Sequence, residues 1–576
     1  MILGLPTIWG GGSTFAYSAL DGENLNEKAL YAHLLSDRLG ISFDTPFKAV
    51  MYVALKDAAD IIFEVVASDI IKANIVDKDS SINSVEIIFI KHNVILVKHL
   101  NKHILKFCFE DEYDKKTDGN LVSYTSKNGT FAIYSEDNGE YVISSVAYGD
   151  DAEKDAKVSF TEEINKEISE KLDFFAKLPI MDNIPKNISN LASKCFSVLK
   201  SHIVSKKGSD TKMLSERVCH KRSYAKDNVL SSMALKYISP DVAKETLFSV
   251  LDTMNDDGSI PLFTDDEKKS DLCTVPCISW AFLKLFEYTN DISCLSESFD
   301  RLKKHILYYI ETSDGEKKSL FEWKIKISDM SSKCEESSMD NSPRFDNTTK
   351  AYSVDIACFI ANEAKSISKI AEILNKSGEH LYWSVIYDRI KEAINKHLYD
   401  DEDKFYYDKD ASTNEFIKVK TSSAFLPLFA GICDKRQAED IVEKHLFNKE
   451  EFFTPFMLPS TALNEETFET DMWRGCVFAH INYFVSLGLL DYGYKKEAQK
   501  IINDTVMNIL NFYENDGVVY EYYDPLRKTS PSRLKRKGES IFAYLPDVKL
   551  SPMKDSELSC TVCAQMIVSN IKQNNE

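Results

Sequence analysis

Apolar and polar positions along this chain follow two different periods, and the change between them falls near residue 160. Before it, alternation and short apolar runs predict strands. Leu121 to Lys127 and Thr130 to Ser135 flank Asn128-Gly129, and Tyr141 to Val146 follows Asp137-Asn138-Gly139, two turns built from residues that tolerate a left-handed backbone. Val85 to Ile90 and Val94 to Val97 read as buried strands. The expectation for residues 1–158 is an antiparallel β-sandwich, with packing against the rest of the chain as its simplest role.

Past that point apolar residues recur at three and four positions. A charged amphipathic helix over Thr161 to Lys177, followed by Pro179 and Pro185, predicts a helical linker at 159–187. From 188 to 576 the pattern predicts helices at about 188–204, 226–238, 240–254, 275–290, 294–312, 349–368, 378–397, 422–432, 435–447, 474–488, 493–513 and 557–573. Twelve helices make six hairpins, and six hairpins can close into a double-layered ring. The expected fold is therefore multidomain: an N-terminal antiparallel β-sandwich followed by an all-α six-hairpin α/α toroid barrel.

Polar outliers fall at regular places in that count. Arg222 to Asn228 opens the second helix, Asp256 to Pro261 begins the loop before the fourth, and Cys334 to Asp346 precedes the sixth. Lys418 to Ser423, Glu469 to Gly475 and Gly517 to Pro525 precede the eighth, tenth and twelfth. Even-numbered helices of an up-and-down ring share a direction, so these loops gather at one end, as an active site requires.

Composition narrows the partners. With 576 residues and a net charge of −20, the chain is long enough for more than one core and repels polyanions such as nucleic acid. No apolar run reaches membrane-spanning length, and Met1 to Pro6 shows no basic segment leading into an apolar stretch. A cytoplasmic protein is expected. Most of the twelve cysteines lie singly in apolar helical segments, and Cys273/Cys277 and Cys560/Cys563 have no second pair to complete a zinc site. Reduced core thiols, no metal and no cofactor are the expectation.

Two carboxyl groups stand out at the shared end. Asp340 sits in a loop that feeds a helix N-terminus, where it could equally serve as a cap. Glu521 lies among Tyr520, Tyr522 and Tyr523. Hydrolysis of a glycoside needs such a pair, one acid to protonate the departing oxygen and one carboxylate to attack or to activate water. Trp473 and Arg474 offer a flat platform and a rigid donor at the same rim, against the plainer roles of a core aromatic and a structural ion pair.

The same residues carry a resemblance. Met339-Asp340-Asn341-Ser342-Pro343-Arg344-Phe345, Trp473-Arg474-Gly475 and Glu521-Tyr522-Tyr523-Asp524-Pro525 are similar to motifs of glycoside hydrolase family 63, particularly its mannosylglycerate-hydrolase-like branch, related in fold to trehalases. Phe405 to Asp408, Phe425 to Gly431 and Phe452 to Pro455 agree in order, so the resemblance spans roughly 215–570. It implies an α/α six-hairpin barrel and inverting hydrolysis of an α-glycosidic bond in an oligosaccharide or small glycoside. By position it implies Asp340 as general acid and Glu521 as general base, the latter helped by Arg474 or by a helix N-terminus, with Tyr224, Asp227, Met339, Trp473 and Arg474 lining the sugar pocket. An inverting pair stands about 6.5–9.5 Å apart, leaving room for water.

Three positions depart from the family pattern. Lys226 stands where a Trp is usual, Ser338 where a Gly is, and Ser559-Cys560 where Ser-Trp is expected. Lys226 is expected to face solvent, the alternative being a cation in the pocket for an anionic substrate. A trehalase-like hydrolase and a catalytically inactive glycan-binding protein are the rival readings, with a phosphorylase behind them.

Overall fold

The computed structural model describes residues 10–24, 29–98, 100, 102–137, 142–157, 169–171, 174, 178–179, 184–205, 212–213, 222–265, 268–326, 332–538 and 553–575. The chain divides into two compact units, Met1–Arg222 with Leu510–Val519, and Ser223–Ile509 with Tyr520–Glu576.

The first unit holds two antiparallel sheets. One has five strands, β1 (Thr14–Ala16), β2 (Tyr31–Leu34), β3 (Gly40–Phe43), β4 (Ala49–Ala54) and β9 (Ile104–Phe109), in that order. The other runs β10 (Asp114–Asp118), β11 (Leu121–Ser126), β12 (Gly129–Asp137), β13 (Val142–Tyr148), β8 (Val94–Lys98), β7 (Ile82–Lys91), β6 (Ile70–Asp77), β5 (Ala58–Ala67). Phe43 and Phe131 meet between them at 5.1 Å, and Phe15 and Phe89 at 4.9 Å. The predicted Asn128-Gly129 hairpin joins β11 to β12, with Ser126 opposite Gly129. Only a glycine fits there, because its φ is +140° and a Cβ would stand 2.7 Å from the Tyr148 hydroxyl. Residues 138–141, including the second predicted turn, lie outside the described residues, as does most of the helix expected at 161–177.

Helix α1 (Lys186–His202) groups with these sheets. Its buried Lys200 lies 3.0 Å from both Asp69 and Asp21, and Lys171 lies 2.9 Å from Asp69. Burial alone would push the Asp69 carboxyl up, but the two ammonium groups hold it well below the usual carboxylate range. These charges are buried yet paired, which is the condition under which a core tolerates them.

The second unit is helical. Its helices are α2 (Ala225–Ile238), α3 (Pro240–Asp252), α4 (Ile278–Thr289), α5 (Ile292–Thr312), α6 (Val354–Ile373), α7 (Ser377–His397), α8 (Leu426–Ala430), α9 (Lys435–Ile441), α10 (Ala479–Asp491), α11 (Lys495–Asp516), which runs across the division between the units, and α12 (Glu557–Asn575). Each of α2, α4, α6, α8, α10 and α12 touches the next, and α12 returns to α2, so the six close an inner ring. Ring helices such as α6 are buried along almost their whole length, whereas α7 buries only a stripe, Trp383, Ile390, Ala393 and Ile394. The predicted toroid is thus built, with the even-numbered helices inside.

Some boundaries differ from expectation for local reasons. α6 begins five residues late because Lys350–Tyr352 pairs with Glu322–Lys324 and Lys409–Asp410 as a small sheet. α10 begins at Ala479 because Met472–Arg474 makes a separate 3₁₀ turn and Val477 bridges to Tyr523. Among the described residues no helix is long and apolar enough to cross a membrane, and eleven cysteines are free.

One ring contact has a measurable pH signature. Cys277 gives no side-chain cap to α4; instead Glu363 of α6, fully buried, accepts from the Ser279 and Trp280 N–H groups at 2.9 and 3.0 Å. Burial pushes this carboxyl up to about 7 even though those N–H groups favour its ionised form. A group with a folded pKa above its unfolded value stabilises fully below the unfolded pKa and loses that contribution as pH rises towards the folded one. Between roughly pH 4.5 and 7, Glu363→Gln should therefore gain on wild type by on the order of 3 kcal/mol in urea unfolding. A gap between the two proteins that stays constant across this window would rule out the assignment.

Candidate active site

Asp340 is fixed by backbone before its side chain does anything. Its carbonyl accepts from Lys333 N at 2.9 Å and Cys334 N at 3.2 Å, closing a loop that holds the 3₁₀ turn Glu335–Ser337, and a second such turn, Pro343–Phe345, follows. Ser338 adopts φ +56° in this loop, a left-handed conformation that costs a serine on the order of 1 kcal/mol and explains why a glycine suits the position better. The floor beneath is Arg344, buried and bonded to Asp355 and, at 2.8 Å, to Asp408. Burial opposes the Arg344 charge, but the two carboxylates raise its pKa further. Met339 packs on this guanidinium, its Sδ 3.5 Å from Nη2.

The loop before α10 locks onto the Asp340 loop. Asn341 accepts from Trp473 N at 3.0 Å and donates to Asp471 O at 3.3 Å. Arg474 forks onto Asp346 at 3.1 Å and reaches Glu469 at 3.6 Å. Arg474 was expected to help Glu521, but its guanidinium is committed to these two acids. Trp473 is 3% exposed and stacks on Phe478 at 3.5 Å, with His480 edge-on at 5.7 Å. Burial drives the His480 imidazole well below its usual value, so it is neutral.

Glu521 stands between three buried tyrosines, and its own side chain stays partly accessible. Its backbone pairs with Met553, whose N–H also donates to Glu521 Oε2 at 3.1 Å, and Ser559 Oγ of α12 donates to its carbonyl at 3.1 Å. The cation on Glu521 is Arg536. The next residue, Lys537, places Nζ 2.7 Å from Asp340 Oδ2 and 3.3 Å from Ser332 Oγ. Tyr522 OH donates to Lys535 O at 2.8 Å and Gly538 N donates to Asp471 Oδ2 at 2.7 Å, pinning this basic strap at both ends. Asp340 and Glu521, 181 positions apart in the sequence, are thus bound to adjacent residues of one segment.

At the α2 side of the mouth, Tyr224 packs on Phe263 at 5.3 Å, and Lys226 Nζ lies 3.8 Å from Asp227 Oδ1. Lys226 does not face solvent as expected: its side chain is 12% exposed and its charge is felt by the buried Cys277 and His480. The alternative, a cation at the pocket, fits its position. Sequence reasoning did not single out Arg536 or Lys537, although Arg533-Leu534-Lys535-Arg536-Lys537 is a dense basic run in a chain of net charge −20. Among the described residues no group of three or more His, Cys, Asp or Glu side chains is placed to hold a metal ion.

A sequence profile of the mannosylglycerate hydrolase MGH1-like glycoside hydrolase domain matches residues 222–533. A protein of Borreliella burgdorferi is 28% identical over 305 residues, covering 50% of this chain and 60% of that one. A mannosylglycerate hydrolase of Thermus thermophilus is 36% identical over 130 residues, 22% of this chain and 30% of that enzyme. The chain therefore spans less than two thirds of the length of these relatives. The crystal structure of a GH63 mannosylglycerate hydrolase from another strain of Thermus thermophilus, in complex with glucose, superposes with a TM-score of 0.53 at 19% identity, covering 66% of this chain and all of that one. That likeness extends to the fold.

Arg344 and Arg474 differ in surroundings, and the difference is testable. Arg344→Met strands two buried carboxylates and should cost on the order of 3–5 kcal/mol. Arg474→Met leaves Asp346 partly solvated and still paired with Lys333, so about 1–2 kcal/mol is expected. Chemical denaturation of both variants at one pH checks the order, and equal losses would contradict the burial argument.

Proposed function

The chain belongs to the mannosylglycerate hydrolase MGH1-like glycoside hydrolase family, and from that premise we propose that it cleaves an α-glycosidic bond with inversion, Asp340 acting as general acid and Glu521 as general base. The observation that carries this reading is the strap: Arg536 and Lys537, neighbours in the chain, each hold one of the two carboxyl groups at a single mouth of the ring.

In the reaction Asp340 gives a proton to the glycosidic oxygen as the bond from the anomeric carbon to that oxygen breaks. Glu521 takes a proton from the water that attacks the same carbon from the opposite face, so the products are an alcohol and a sugar of inverted configuration. Proton exchange with solvent restores both groups. Arg536 is ion-paired with Glu521 and orients its carboxyl group. Lys537 occupies Asp340 Oδ2, so that ion pair must open when a glycosidic oxygen takes its place.

Tyr224, Asp227, Met339, Trp473 and Arg474 divide the remaining work. Asp227 and Tyr224 line the mouth and are suited to hydroxyl groups. Met339 and Trp473 form its packed wall, while Arg474 acts through the loop it braces. Lys226 and Lys537 bring positive charge to the rim, which suits a leaving group carrying a carboxylate; mannosylglycerate, the substrate in the Thermus relative's name, is the first compound to try, as its α-linked form.

Following the anomeric proton by NMR with α-mannosylglycerate, methyl α-glucoside, methyl α-mannoside and trehalose tests activity, linkage and stereochemistry together. The first sugar released should be the β-anomer. Asp340→Asn and Glu521→Gln should each lower kcat by at least on the order of a hundredfold with the fold intact. Near wild-type turnover in either variant, or first release of the α-anomer, would exclude this assignment.

A further inference from the structure

Beside Asp227, Asp340 and Glu521 the mouth holds a fourth carboxyl group, which the mechanism above does not use. Glu557 is the first residue of α12, 2% exposed, and its Oε1 is buried with no hydrogen-bond partner among the described residues. Its place is set by two neighbours: Ser559, two residues on, is bonded to the Glu521 carbonyl, and α12 packs against α2, whose first turn carries Asp227.

The charged and titratable groups around it come from every adjoining element. Asp227 of α2 and Glu521 act on it as negative charges, and Cys560 on its own helix adds to them. α10 brings His480, which is neutral. The cations are engaged with the other acids, Arg536 on Glu521, Lys537 on Asp340 and Lys226 near Asp227. An ionised Glu557 would be a buried anion beside two others, a state that costs several kcal/mol, so it holds its proton. Burial first, and Asp227 next, push its carboxyl well above the usual range.

A protonated carboxyl has an O–H to donate, which a carboxylate has not. A sugar hydroxyl both donates and accepts, so one placed between Asp227 and Glu557 satisfies both. We propose that Glu557 is a specificity-determining residue of the sugar pocket, donating from its acid form to a hydroxyl of the bound sugar that in turn donates to Asp227. This rests on the glycosidase reading of the site.

Calorimetric titration with methyl α-D-mannopyranoside and methyl α-D-glucopyranoside tests it without requiring turnover. For the tighter sugar, Glu557→Leu should weaken binding at least about tenfold, and Glu557→Gln, which keeps an N–H donor, by no more than about threefold. One monodeoxy analogue should lose about as much on wild type as the Leu substitution does, and lose nothing further on Glu557→Leu. Equal binding by wild type and Glu557→Leu, or the same losses for every deoxy sugar on both proteins, would overturn the proposal alone. Wild type binding neither sugar would overturn the glycosidase reading and this proposal with it.

Should Glu557→Leu not fold, the decision passes to Glu557→Gln. Its stability should gain on wild type as pH rises above about 4.5, because only the wild type must then hold a proton that its unfolded chain gives up. A gap that does not change with pH would sink the acid form and the proposal.

Discussion

Ring closure is the contact on which the site depends. α12 must come back beside α2 across a sequence separation of 330 residues, and two polar contacts cross the seam: Thr561 Oγ1 donates to Ser231 Oγ at 3.2 Å, and Gln565 Nε2 donates to the Met233 carbonyl. These two bonds pair buried polar groups across the helices, so they favour one register in a way that Leu against Leu would not. Register matters because both helices begin at the mouth. A slip of one turn would move Glu557 by about 5.4 Å relative to Asp227 and carry the Ser559 anchor away from Glu521.

Charge explains how so acidic a chain can crowd carboxyl groups at one end. Asp227, Asp340, Glu521 and Glu557 share the mouth, and two solutions to their repulsion coexist. Three have a cation within ion-pair reach, Lys226, Lys537 and Arg536, and the fourth is buried away from any of these and keeps its proton. Glu363 repeats the second solution elsewhere in the ring, with backbone N–H groups in place of a cation. The paired groups keep 16–20% of their side-chain surface exposed. Unpaired ones are packed away as neutral donors or caps.

Much of this was legible in the sequence because helix periodicity and loop position are local properties. All twelve predicted helices exist, and the polar loops before the even-numbered ones meet as the direction rule demands: Asn341 touches Trp473 and Lys537 touches Asp340. The errors came where a side chain had to choose among distant partners. Arg474 lies in the loop before α10 and looked available to Glu521, but Asp346, in a loop 128 residues earlier, offers both oxygens to its fork. Lys226 is next to Asp227 on a helix start, where a lysine ordinarily reaches water; only the ring's closure turns that face inward. Glu557 gave no signal, since an acid in the first turn of a helix is the commonest of caps.

That last ambiguity has a physical root in the fold. Every ring helix presents its N-terminus to the mouth, and an N-terminus favours negative charge through its unpaired N–H groups and the helix dipole. The acids a glycosidase needs and the acids that merely stabilise helices therefore occupy the same positions for the same electrostatic reason. What separates them is who answers their charge. Glu363 is satisfied by two N–H groups of the neighbouring ring helix and has nothing left to offer a ligand. Asp340 and Glu521 are met instead by the side chains of Lys537 and Arg536, and a charge answered by a side chain rather than by helix backbone is one that a substrate can compete for.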